Sequence, residues 1–274
     1  MGENDVTDEG GMDNEPLTLR DFLGKSNLAV AKEPPLVHST QVQNIWKVKK
    51  SGKLLAMPCS VFKAEKLCYC FVGRPAYKQD DIDNPQRWQL PMAFVLRFHE
   101  PPSIKRIFPF DSGAFMQHRL PDYVTGFDLE GFDISSDRRN IGRLISLVYR
   151  TPDKYFDRAA AGFEEITEQH EMTLRHQEIM AVCRLALDNS SRKCDDRAAA
   201  IEVSLDQDVV LTHENVLGIV VPEEVTREPS LMKWLFGLTP NIETYSHFPL
   251  SLHAHYGQIY QAVRQIYKKA GVRL

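Results

Sequence analysis

A chain of 274 residues is long enough to bury a sizeable core. Its 43% hydrophobic and 26% charged residues are the balance of a globular protein; no apolar run of about 18 residues suits a bilayer, and the acidic start lacks the basic and apolar stretches of a secretory signal. A formal net charge of −4 excludes attraction of the whole molecule to nucleic acid and leaves that task to local basic patches.

Residues 1–15 carry six acids (Glu3, Asp5, Asp8, Glu9, Asp13 and Glu15) and no Lys or Arg, with almost no large apolar side chain, so a disordered tail is expected. An amphipathic piece, Leu17 to Leu28, follows, and Pro34-Pro35 marks a boundary. Leu36-Val37-His38 reads as a short strand. Ser39 or Thr40 then caps a helix with Val42, Ile45 and Trp46 on one face and Gly52 as its stop. Leu67 to Val72, Pro91 to Phe98 and Arg106 to Phe110 read as strands.

A helical block comes next. Ser135 or Ser136 is the expected cap for Ile141, Leu144, Ile145 and Val148. Thr151-Pro152 opens a second helix, and a third runs from about Thr173 to Leu187. Ala200 to Leu205 and Val216 to Val221 are strand signals. Residues 222–240 read as irregular, and Ala254 to Ala270 as a helix with Ile259, Tyr260, Val263, Ile266 and Tyr267 inward. Strands at both ends with helices between, and no regular alternation, predict an α+β fold. The expected division is a tail and short segment over 1–34, a main domain over 35–225, and a helical extension over 226–274.

Five cysteines, Cys59, Cys68, Cys70, Cys183 and Cys194, contain no Cys-x-x-Cys pair. Neither a metal site nor a disulfide framework is expected, and reduced thiols in a cytoplasm fit best. No G-x-G-x-x-G, P-loop, G-x-S-x-G or H-E-x-x-H motif occurs. His253-x-His255 has metal-like spacing, but no third ligand is placed.

Four segments in order resemble the NAD-consuming ADP-ribosyltransferase superfamily, most of all the DarT family of toxins that modify DNA. They are Leu36-Val37-His38-Ser39-Thr40 with Asn44-Ile45 and Ser51-Gly52-Lys53-Leu54; Cys68 to Tyr77, an aromatic strand running into Gly73-Arg74-Pro75; Phe108-Pro109-Phe110-Asp111-Ser112-Gly113-Ala114; and Asp195 to Val203, similar to the strand that carries the family's catalytic Glu. They span about residues 36–221. The resemblance departs from the family at one extra residue before Glu202, and it does not cover Phe115 to Glu130 or the last 50 residues.

The resemblance implies a split β-sheet core with intervening helices and a C-terminal helix, NAD as substrate, and a transferase serving as toxin or antiviral defence effector. It implies DNA or another nucleic acid as acceptor, and an antitoxin or regulatory protein as partner. Glu202 and Arg74 are then the catalytic pair, and His38, Thr40, Asn44, Arg74 and Tyr77 the NAD-binding set.

The chemistry suits these residue types. Breaking the nicotinamide–ribose bond passes through an oxocarbenium-like state, which a carboxylate stabilises while it holds a hydroxyl. On an alternating strand Glu202 and Ser204 face away from Ile201, Val203 and Leu205. A guanidinium fork at Arg74 suits pyrophosphate oxygens, His38 can bond a ribose hydroxyl, and Tyr69 or Tyr77 can stack on a ring. Cys68 and Cys70 share a strand face and read as packing residues. Basic clusters at Lys47-Lys49-Lys50-Lys53, Arg138-Arg139-Arg143 and Arg192-Lys193 with Arg197 would hold a nucleic-acid backbone if they lined one groove. Two other readings stand beside this one: an NAD glycohydrolase on the same fold, and a non-enzymatic binding module.

Overall fold

Six of the strand-like runs become neighbours in one sheet, and that sheet sets the positions of everything discussed below. The computed structural model describes residues 15–76, 85–100, 102–188, 196–247 and 254–274. In chain order the elements are α1 (Leu19–Lys25), β1 (Leu36–Gln41), α2 (Ile45–Ser51), β2 (Lys53–Leu54), β3 (Met57–Pro58), β4 (Lys66–Val72), β5 (Pro91–Leu96), β6 (Ile104–Phe108), α3 (Ser112–Met116), α4 (Asp122–Thr125), α5 (Arg139–Tyr149), α6 (Pro152–Phe156), α7 (Phe163–Gln169), α8 (Gln177–Leu187), β7 (Glu202–Leu205), β8 (Val209–Val210), β9 (Val216–Pro222), α9 (Pro229–Leu238), β10 (Ile242–Tyr245) and α10 (Ala254–Lys269). The class is α+β, with a mixed sheet.

The sheet runs β10-β9-β5-β1-β4-β7-β6, with β3 beside β4 and a separate β2–β8 pair. Only β9 and β10 are parallel; the other ladders are antiparallel. Residues paired across a ladder share a face. One face therefore carries Val37, Val95, Ala93 and Val220, which α10 covers with Ile259, Val263 and Ile266. Gly218 lies under this helix: a Cβ there would stand 2.4 Å from Ile266, so the helix reaches the sheet through a missing side chain. The other face joins Leu36, Cys70, Phe94 and Val203 to α5 and α8 in the larger core.

The segment preceding Pro34 supplies part of that core. Thr18 caps α1 by accepting from the Asp21 amide, and Leu19 and Leu23 are fully buried. Ala31 donates to the Gly142 carbonyl at 3.2 Å, and a Cβ on Gly142 would meet the Ala31 oxygen at 2.3 Å. That oxygen belongs to the backbone and cannot rotate away. Gly142→Ala is expected to lower stability by about 1–3 kcal/mol through overpacking, read as a lower denaturation midpoint with an unchanged slope.

Three boundaries differ from the sequence reading. Ser39 and Thr40 do not cap a helix; β1 runs on to Gln41 because every residue from Leu36 pairs with β5, and α2 starts only at Ile45. Gly52 does end that helix, in the left-handed region with φ 66°. Asp137, not Ser135 or Ser136, accepts the first amide of α5, from Arg139 at 2.9 Å. Residues expected to be irregular contain α9, whose Leu231, Leu235 and Leu238 are buried at helical spacing. Thr151 and Pro152 open α6 as expected, the Thr hydroxyl accepting from the Lys154 amide.

Candidate active site

Each of the four segments that carry the resemblance meets one of four adjacent strands: β1 holds Leu36 to Thr40 and β4 holds Cys68 to Val72, whereas segment four enters β7 only at Glu202 and Val203, and segment three leaves β6 at Phe108 and runs into α3. β1 and β4 pair only at Leu36–Val72 and Val37–Phe71. Beyond Val37, β1 continues along β5 alone, while the edge of β4 is taken up by β3 at Leu67 and Lys66. The sheet splits there, and His38 occupies the fork: its Nδ1 donates to the Tyr69 carbonyl at 2.8 Å. Burial pulls the His38 pKa down, but the Cys68 sulfur and that carbonyl outweigh it, so the imidazole sits above its ordinary value. Cys68, receiving a bond from the Cys70 thiol and lying 3.8 Å from His38 Nδ1, is brought down to about 5. Thr40 and Asn44 lie just beyond, joined by a 3.0 Å bond from the Asn44 amide to the Thr40 hydroxyl.

Glu202 opens β7 and pairs with Phe71 on one side and Phe108 on the other. Both faces of this strand are buried, and Glu202 itself is 2% exposed. Its Oε1 accepts from Ser112 Oγ at 2.7 Å, and its Oε2 from the Ser112 amide at 3.3 Å. Asp111 caps α3 and accepts from Arg197 Nη1 at 2.8 Å. The third and fourth segments thus meet in one buried polar cluster of Glu202, Ser112, Asp111 and Arg197. Burial and the Asp111 charge hold the Glu202 carboxyl well above the usual carboxylate range, against the Ser112 bonds and Arg197. A buried carboxyl held in this way is a group whose proton can be moved by a change in local charge.

Arg74 has a different setting from the one expected of a pyrophosphate ligand. It is fully buried, its Nε donates to Tyr260 of α10 at 3.1 Å and its Nη1 to the Ala199 carbonyl at 2.8 Å. The guanidinium also lies over the Tyr155 and Tyr260 rings. The adjoining turn is clamped: Tyr155 donates to the Val72 carbonyl, and Tyr267 to that of Gly73. Gly73 has φ 66°, and a Cβ there would stand 2.8 Å from Pro34. Arg74 therefore ties α10 to the segment that leads into Glu202, while the Glu202 carboxyl turns to Ser112. Fork geometry suits carbonyl and phenol oxygens as well as phosphate, which is why the residue type alone did not separate the two uses.

Tyr77, Arg192, Lys193 and His253 lie outside the described residues. Tyr69, considered only as a stacking partner, shares its strand face with Phe71 and bonds Cys59 Sγ at 2.8 Å. Arg138 pairs with Glu33, and Arg139 and Arg143 with Asp137, so acids offset this basic cluster. A small apolar cavity lined by Val148, Tyr149, Val182, Ala199 and Ile201 lies on the Ile201 side of the segment, away from Glu202. Among the described residues no helix is long and apolar enough to cross a membrane. Asp111, Ser112 and Arg197 were legible within the quoted segments, but nothing in one strand's alternation showed that two distant segments would meet.

The chain matches no protein-family model, no curated protein and no solved structure.

Proposed function

We propose that the protein is an NAD-consuming ADP-ribosyltransferase whose reacting carboxyl is Glu202, on the Phe71 face of the sheet, with His38, on the Cys70 face, reaching the same dinucleotide through the fork where β1 leaves β4. One observation supports this above the others: the four segments that resemble the superfamily each meet one of four contiguous strands, two along their length and two at strand ends, with the sheet split beside the first. In this reading His38, Thr40 and Asn44 hold the nicotinamide ribose and Tyr69 or Tyr77 stacks on a ring. Glu202 ionises when the cationic nicotinamide riboside comes beside it and stabilises the oxocarbenium-like state. Ser112 orients Glu202. Arg74 is a positioning residue, holding the Ala199–Glu202 segment through the Ala199 carbonyl. The acceptor assigned by the resemblance is a nucleic acid, and a cytoplasmic toxin or defence effector restrained by a protein partner is the setting that goes with it.

A second reading, a non-enzymatic binding module on a transferase-like framework, is favoured by the burial of Arg74 and Glu202 and by their bonds to the protein itself. The test incubates the protein with labelled NAD and single-stranded DNA, RNA or cell extract, with Glu202→Gln in parallel. Label on a polymer that is lost in the variant supports transfer. Nicotinamide release without labelled polymer selects a glycohydrolase. Neither label nor release, together with no heat of NAD binding, selects the binding module.

A further inference from the structure

We propose that His38, Cys68 and Cys70 form a binding site for a thiophilic divalent cation, zinc in the first place, at the fork where β1 leaves β4. A ring nitrogen of His38 and the two sulfurs all lie within 4.8 Å of one another; coordination through Nδ1, 3.8 Å from Cys68 Sγ, would take the place of its bond to the Tyr69 carbonyl. The reason is strand geometry. Residues i and i+2 project from the same face, so Cys68 and Cys70 stand side by side on β4. The split in the sheet lets the His38 ring come in from β1 between the strands. Ligand atoms on a tetrahedral zinc stand about 3.5–3.8 Å apart, given Zn–S near 2.3 Å and Zn–N near 2.0 Å. The three groups need to close by about 1 Å at most to reach that spacing.

The pair is poorly placed for a disulfide. Same-face neighbours on one strand are about 6.6 Å apart at Cα with parallel Cβ directions, the far limit of what a disulfide spans. Two sulfurs and one imidazole are instead a donor set that favours soft or borderline cations over magnesium or calcium. Both thiols are buried against the core, while His38 is half-buried on the open side of the fork, so the cation would enter past the imidazole. Three protein ligands leave one tetrahedral position for water or an incoming group. Protons compete with the cation for these ligands, so affinity falls as pH falls. One consequence rests on the proposed function: a cation held by His38 would occupy the place given there to the nicotinamide ribose, so metal and NAD would compete.

The experiment titrates the purified, reduced full chain with Co²⁺ and follows thiolate-to-cobalt charge-transfer absorption, then displaces cobalt with Zn²⁺. One equivalent, a charge-transfer band and a tetrahedral visible spectrum are expected. Cys68→Ser and Cys70→Ser should each weaken binding by about 100-fold or more, and His38→Gln by about 10-fold with the charge-transfer band retained. No charge-transfer band in the wild type, or a band that survives in the double serine variant, overturns the site. Because serine in a packed core can impair folding, a second measurement uses the wild type alone: alkylation with and without zinc, mapped by mass spectrometry. Protection confined to Cys68 and Cys70 is expected; protection of neither, or equal protection of Cys59 and Cys183, overturns the proposal. Calorimetry of NAD with and without zinc keeps the two ideas apart. Zinc binding without any NAD binding rejects the proposed function and leaves the metal site standing, whereas NAD binding without zinc binding does the reverse.

Discussion

Glu202→Gln is expected to cut nicotinamide release or transfer by at least about 100-fold, the range seen when a preorganised electrostatic group is removed from a reacting centre. Gln has the shape to keep the Ser112 contacts, so the chain should stay folded. The pH dependence carries a second signature. Glu202 titrates well above 4.5 in the folded protein, and the reaction needs its ionised form. The kcat/KM of the wild type should therefore climb with pH, about tenfold per unit below that pKa, and then level off. The nicotinamide ring of bound NAD places a positive charge beside Glu202, so the same limb in kcat should lie at lower pH. Stability has the opposite sign. A carboxyl whose pKa is raised by folding contributes fully below its unfolded value and loses that contribution as pH rises toward the folded one. The wild type should lose ground to Glu202→Gln from about pH 4.5 upward, at most about 1.4 kcal/mol per pH unit. Thermal midpoints of both proteins across pH 5–8 check this; parallel curves would mean that Glu202 is ionised throughout.

Arg74→Ala is expected to destabilise the protein by about 3–5 kcal/mol. It removes two hydrogen bonds from a charged donor, worth about 1.5–3 kcal/mol each, and two aromatic contacts, and it leaves a cavity. For a chain of this size the thermal midpoint should fall by roughly 6–15 °C. Arg74→Lys keeps the charge but not the fork, so it should recover only part of the loss. The distinguishing measurement is NAD affinity on the folded fraction well below the midpoint. A positioning residue leaves KM nearly unchanged and lowers kcat as the Glu202 segment loosens; a pyrophosphate ligand would raise KM first.

Local signals carried the strands furthest. β4, β9 and the β7 region are continuous or alternating runs whose burial pattern follows from composition alone, and Thr151-Pro152 and Gly52 fix helix ends by backbone chemistry. The failures have one cause: a local preference was outbid by a distant partner. Ser39 and Thr40 prefer caps, yet the β5 ladder holds them in a strand. Leu231, Leu235 and Leu238 have helical spacing within a stretch that reads as irregular. The site was half legible. Glu202 stood out by alternation and resemblance, but its union with Ser112 needs β6 and β7 side by side. That Cys68 and Cys70 share a strand face was legible from their spacing, but the approach of His38 to them depends on the split between β1 and β4. Arg74 shows the limit most plainly: it was expected to hold a pyrophosphate, and its partners within the protein, 125 and 186 positions away, had no local mark.

The bond from Tyr267 to the Gly73 carbonyl closes a loop of 194 positions. Contacts so remote form late, after nearer pairings have offset the entropy of the chain. The last helix thus completes the clamp on the turn holding Arg74, adding the Tyr260 and Tyr267 bonds to those made with Tyr155, Pro35 and Ala199. Amide exchange would register this as one cooperative unit: residues 72–76, 199–201 and 259–267 should open together, at one free energy, although they come from three separate stretches of sequence.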